Sequence, residues 1–305
     1  MKPLKLFQTI FTLSKKLIIL IKEKLTNNKN TLKDFYNLSI QLNSHNQKPS
    51  TLHSQNYAIK TFFKYTKNKP IKNYTKLDID LAISKMAKHL SPSTIKLILS
   101  HIKKIFLLAH KYKAISHNPI THINYPKQHQ QKQTSLTQNQ IKKLLENAKG
   151  ELKAFLLFAF FTGARASEIL ALKPKDIKSS HIKITKNQTR YGLTTPKNGC
   201  QRDVFIPKTL KDELLKLKFC GFKNNYFSIY YQFKKLAKSL KIKVSGLHIT
   251  RHTYASLCVK HNLPLTTIAT LLGHKNIEMV SKVYAHHIYS KSDTNILKKM
   301  LTFKK

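Results

Sequence analysis

TGARASEIL (residues 162–170) decides how the rest of the chain is read. It follows an apolar run, residues 154–161, that reads as a core helix buried on all sides. Gly163 ends that helix, and a second one from about Ala166 to Leu172 leaves Arg165 at the junction. There an arginine side chain lies beside the free backbone N–H groups of a helix start, an arrangement that attracts phosphate. Glu168, three residues on, is placed to orient the guanidinium or to form an ordinary intrahelical pair. An exposed arginine capping a helix fits the stretch equally well, so its meaning depends on what else the chain holds.

The 305 residues carry 56 Lys and Arg against 13 Asp and Glu, a formal net charge of +43. An excess of that size needs a polyanionic partner, and nucleic acid fits it best. A membrane does not, because no stretch approaches the roughly 20 apolar residues of a spanning helix. The N-terminus has no uninterrupted apolar core followed by a small-residue cleavage site, so the expected location is cytoplasmic. Cys200, Cys220 and Cys258 are too scattered for a disulfide framework or a zinc site. Among the basic residues only Arg165, Arg190, Arg202 and Arg251 are arginines. In a chain so biased to lysine, an arginine marks a place where a fixed, planar fork of donors is needed.

The length suggests two domains. Residues 1–30 place Leu4, Phe7, Ile10, Phe11, Leu17 and Leu20 at near-helical spacing among lysines, forming a basic amphipathic segment. Residues 31–115 read as a helical domain, most clearly where Ser91 and Pro92 precede Ile95, Ile98, Ile102, Ile105 and Ala109. The other face of that helix carries Lys96, Lys103, Lys104 and Lys111, candidates for contact with a DNA backbone. Residues 116–136, with two prolines and no sustained period, form a linker. A capping-box pattern at Thr137 and Gln140 opens the second domain, residues 137–305. It contains strand-like runs at 181–185, 192–195 and 203–206, then helices from Lys208 onward. The expected fold is mainly α with a small antiparallel β-sheet. The tail, residues 290–305, carries Ile296, Leu297, Met300, Leu301 and Phe303, to be packed on a neighbouring subunit or on its own domain.

Three further motifs lie in the second domain. TPKNG (195–199) puts Lys197 on the turn between two strands, with Lys186 an alternative on the preceding strand and Arg202 downstream as a further candidate for DNA contact. HITRHTYAS (248–256) sets His248 and Arg251 three apart at a helix start, where both can donate to one anion. LLGHKNIEMVSKVYAHH (271–287) has Gly273 as a helix C-cap, then His274, then Tyr284 in the next helix. Singly, each has an ordinary structural explanation, and Tyr284 is one of thirteen tyrosines.

Together they resemble the tyrosine recombinase, or phage integrase, family, whose members carry Arg, Lys, His-x-x-Arg, His or Trp, and Tyr in this order. The resemblance covers residues 137–287; residues 31–115 agree only as a helical domain like the family's core-binding domain, and residues 1–30 lie outside it. It implies a helical core-binding domain followed by a catalytic domain. It further implies Tyr284 as nucleophile, Lys197 as general acid, and Arg165, His248, Arg251 and His274 around the phosphate, with no metal or cofactor. The expected reaction passes through a 3′-phosphotyrosine and a free 5′-hydroxyl. The expected assembly is a homotetramer exchanging strands between two DNA duplexes. The short N-terminal segment points to an Xer-like or transposon-borne enzyme. Two other readings share the motifs: a type IB topoisomerase that only relaxes DNA, and a DNA-binding protein with this fold and no activity.

Overall fold

A computed structural model describes residues 29–43, 47–121, 123–126, 135–196, 199, 201–274 and 278. The chain divides into two compact units, Met1–Gln130 and Gln131–Lys305.

The first unit holds helices α1 (Leu32–Asn43), α2 (Pro49–Phe62), α3 (Lys76–Ala87) and α4 (Pro92–Lys111). The start of α4 is the one read from sequence. Ser91 Oγ accepts the Thr94 N–H, and Pro92 occupies the first turn, where its missing N–H costs nothing. Ile95, Ile98, Leu99, Ile102, Ile105, Phe106 and Ala109 are buried, and α4 packs on α1 and α2. Lys96, Lys103, Lys104 and Lys111 all lie on its exposed side. Tyr74 meets Phe106 edge-on at 5.5 Å between ring centroids. Its hydroxyl donates to Lys67 O at 2.6 Å.

In the second unit, α5 (Gln138–Asn147) opens with the expected reciprocal cap between Thr137 and Gln140. Then come α6 (Gly150–Thr162) and α7 (Ala166–Ile169), and strands β1 (His181–Ile184), β2 (Asn187–Thr189), β3 (Gly192–Thr194) and β4 (Arg202–Phe205). Helices α8 (Lys208–Lys216), α9 (Tyr226–Ser239), α10 (His248–Lys260) and α11 (Leu265–Leu272) complete the described residues. The core runs along α6. Its sequence is apolar on every face, and it packs on α5, α8, α9 and α10. Burying one Phe or Leu is worth about 1.5–3 kcal/mol, so this helix contributes heavily to the unit's stability.

The small antiparallel sheet is present as two separate ladders, β1 with β4 and β2 with β3. The runs read at 181–185, 192–195 and 203–206 fall on β1, β3 and β4. β2 was not legible, because Asn-Gln-Thr is polar, half-buried throughout and has no alternation to detect. The helix expected from Ala166 to Leu172 is only one turn long. Ala171 and Leu172 bond to carbonyls three residues back, and Pro174 follows, so the helix tightens and stops.

Candidate active site

Four pieces of chain meet at the end of α6. Gly163 caps that helix at φ +62°, donating to Ala159 O at 3.0 Å. A Cβ there would collide with the side chains of Tyr254 on α10 and Leu272 on α11. A glycine therefore lets three helices converge. Arg165 follows as the N-cap residue of α7. Two of the backbone donors at this junction are taken by side chains. Thr162 Oγ1 accepts from Ala164 N at 3.2 Å, and Glu168 Oε2 accepts from Arg165 N at 3.0 Å. The junction presents the Arg165 side chain, 19 % exposed, with Nη1 donating to Glu168 Oε1 at 2.9 Å.

His248 and Arg251 project from the first turn of α10, as their spacing required. Arg251 is 4 % exposed. Its Nη1 donates to Gly163 O at 3.0 Å and its Nη2 to Leu272 O at 2.8 Å. One guanidinium thus satisfies carbonyls at the ends of α6 and α11, which those helices leave orphaned. The same Nη2 lies 2.8 Å from His274 Nε2. A guanidinium cannot accept, so Nε2 is the acceptor and the neutral ring carries its hydrogen on Nδ1. Gly273, at φ +66°, turns the chain from α11 to His274.

Electrostatics tie these side chains together. Burial, followed by the charges of Arg251, Arg165 and Arg202, pushes His274 down to about 4. Burial also pushes His248 down to about 4, aided by His252, Arg251, Arg165 and His274. His248 keeps an exposed edge and meets the His252 ring edge-on at 4.6 Å. Both rings are therefore neutral at pH 7. Burial would raise the Glu168 carboxyl, yet the hydrogen bonds and charges of Arg202 and Arg165 hold it below its ordinary value. The site is a concentration of positive charge around one buried carboxylate, suited to an oxyanion.

Arg165, His248, Arg251 and His274 are thus brought together, with Glu168 bonded to Arg165. Lys197 and Tyr284 lie outside the described residues, as do residues 1–28 and 290–305. Lys186 sits on the link between β1 and β2, its Nζ 3.5 Å from Asp176 Oδ1. Lys96, Lys103, Lys104 and Lys111 are exposed in the other unit, Lys96 with its Nζ 6.0 Å from the centre of the Tyr125 ring. Arg202 departs from the expectation of DNA contact. Its side chain is 6 % exposed and its donors are spent on Glu168 and on Leu271 O. His252 is a member of the cluster that the sequence hides, because its position in HITRHTYAS suggests only a helix interior. Among the described residues, no three His, Cys, Asp or Glu side chains are grouped to hold a metal ion, and no helix is long and apolar enough to cross a membrane.

A mostly helical unit with a small antiparallel sheet and this cluster of cations defines the class, and residues 134–291 match the phage integrase family. The chain belongs to that family, the tyrosine recombinases. Tyrosine recombinase XerA of Saccharolobus solfataricus is 31 % identical over 189 residues, 57 % of this chain and 60 % of the relative. The chain thus spans less than two thirds of that relative's length. The Tn1549 transposon integrase in complex with a circular intermediate DNA shares the fold with a TM-score of 0.75 at 20 % identity, over 89 % of this chain and 99 % of that one. A lambda integrase tetramer bound to a Holliday junction does so at 0.70 and 17 % identity, over 87 % and 80 %.

Proposed function

We propose that this protein is a site-specific recombinase that cleaves and rejoins double-stranded DNA through Tyr284. Tyr284 Oη attacks the scissile phosphorus while the bond to the 5′ oxygen breaks. Lys197 gives that oxygen its proton, and a 3′-phosphotyrosine and a free 5′-hydroxyl result. A 5′-hydroxyl from the second duplex then attacks the phosphotyrosine, which restores the tyrosine and leaves the strands exchanged. The phosphodiester energy is kept throughout, so no external energy source enters the balance.

The observation that carries this reading is the convergence of Arg251 on His274 at 2.8 Å, within electrostatic reach of Arg165 and His248. Negative charge grows on the non-bridging oxygens during attack, and each donor set to meet it is worth about 3–4 kcal/mol. The same cations favour the phenolate of a tyrosine whose ordinary pKa is about 10. Lys186, held beside Asp176, is less available as the general acid, which supports Lys197 in that role. Likeness to the lambda integrase tetramer on a Holliday junction supports a tetramer on two duplexes.

The test is covalent trapping on a supercoiled plasmid carrying the DNA that flanks this coding sequence. Tyr284→Phe is expected to abolish the SDS-stable protein–DNA complex while leaving DNA affinity within about twofold, because one hydroxyl among many phosphate contacts adds little to binding. Equal trapping by the variant would remove Tyr284 as nucleophile. Two differently marked duplexes should yield joined products; relaxation without joining would make the protein a topoisomerase instead.

A further inference from the structure

We infer that Arg202 is a positioning residue of the phosphate site, holding Arg165 and the His274 turn in register through Glu168 and the Leu271 carbonyl. The inference rests on reading Arg165 and His274 as phosphate-binding groups. Arg202 opens β4, far in sequence from both, yet its guanidinium reaches each. Nη2 donates to Glu168 Oε2 at 2.8 Å and Nη1 approaches Oε1 at 3.4 Å. Nε donates to Leu271 O at 2.8 Å. A Cβ on Gly273 would lie 2.6 Å from Nη1 and 3.1 Å from Cζ, so the guanidinium rests against the backbone one residue before His274.

Glu168 explains why this arrangement matters. Its side chain is completely enclosed, and its oxygens accept from Arg165 N, Arg165 Nη1 and Arg202. A buried carboxylate needs compensating donors, and a single partner would be drawn fully onto it. With Arg202 supplying the fork on one side, Arg165 gives Glu168 only one guanidinium nitrogen and its orientation is fixed. The Leu271 carbonyl lies in the last turn of α11, and the bond from Arg202 pins the turn that aims His274. Lysine carries the same charge but is a point donor without the planar fork that spans both acceptors.

Single-turnover formation of the covalent complex, on the same flanking-DNA plasmid and across protein concentrations, separates the rate of the chemical step from DNA affinity. Arg202→Met and Arg202→Lys are both expected to slow the saturated rate about tenfold or more, as charged hydrogen bonds disappear, with half-saturation unchanged. Glu168→Gln should slow it similarly, and Glu168→Gln/Arg202→Met should be no slower than Glu168→Gln alone. Arg190→Met, which removes an exposed guanidinium stacked on Tyr191, should change nothing and controls for net charge. A wild-type rate in Arg202→Lys, a multiplicative double variant, or a change confined to half-saturation would each overturn the inference. If Arg202→Met does not give a cooperative thermal melt, Arg202→Lys and Arg202→Gln carry the comparison. A wild type that forms no covalent complex, or a Tyr284→Phe protein that forms as much, overturns the recombinase reading itself and this inference with it.

Discussion

His274 accepts a hydrogen bond from one guanidinium and feels the charges of two others, and folding forces it to stay neutral. His248 is depressed to the same value of about 4 from an ordinary 6.5. At pH 7 both rings are uncharged in the folded and unfolded chain, and their contribution to stability is complete. As the pH falls from about 6.5 to about 4, the unfolded chain takes up protons that the folded chain refuses, and stability is lost through that window. Urea unfolding at a series of pH values should show this decline, and His248→Gln/His274→Gln should flatten it. Because His248 keeps an exposed edge, His274 is expected to carry the larger share. An unaltered slope in the double variant would mean that His252 and His101, also depressed by burial, account for it. A bound phosphate would reverse the local field and draw protons onto both rings, making them better donors at the moment charge develops.

At the scale of elements, the site exists because α6, α10 and α11 end or begin at one point. Gly163 is the geometric condition for that meeting. Gly150, at the start of α6, also has a positive φ, of +53°, but a Cβ there meets nothing within 4 Å. The two glycines separate backbone strain from crowding. Gly150→Ala is expected to cost about 1 kcal/mol, the conformational penalty alone. Gly163→Ala adds the clash with Tyr254 and Leu272 and should cost roughly 3 kcal/mol or more. Chemical denaturation of the two variants measures the difference; equal costs would show that the neighbouring side chains yield freely. The end of α7 after one turn belongs to this scale too. Glu168 lies within that single turn, enclosed between Arg165 and Arg202.

Over the whole molecule, the net charge of +43 is spread across both units, and it governs affinity more than choice of sequence. The exposed lysines of α4 provide a measurable part of it. Replacing Lys96, Lys103, Lys104 and Lys111 by Gln should lower the slope of log affinity against log salt by up to about 3.6, or about 0.9 for each phosphate no longer neutralised. Fluorescence anisotropy on a duplex at several salt concentrations reads that slope directly. An unchanged slope would assign the face of α4 to solvent.

The sequence by itself determined the helical starts at Ser91 and Thr137, the all-round burial of α6, the glycine stops at Gly163 and Gly273, and the grouping of His248 with Arg251. These are local facts, set by caps, turns and the 3.6-residue repeat, and they need no knowledge of distant neighbours. Family membership was legible for the same reason, since the order of short motifs survives without the fold. Only the tertiary structure decided which donors are spent and which are left. Arg202 reads as a surface cation because nothing near it in sequence explains it; its partners, Glu168 and Leu271, arrive from two other elements. The N–H groups of Ala164 and Arg165 are two the sequence cannot assign, because their acceptors are side chains whose rotamers a sequence does not specify. Hydrogen bonding between residues remote along the chain is fixed by packing, and packing is where the sequence alone falls silent.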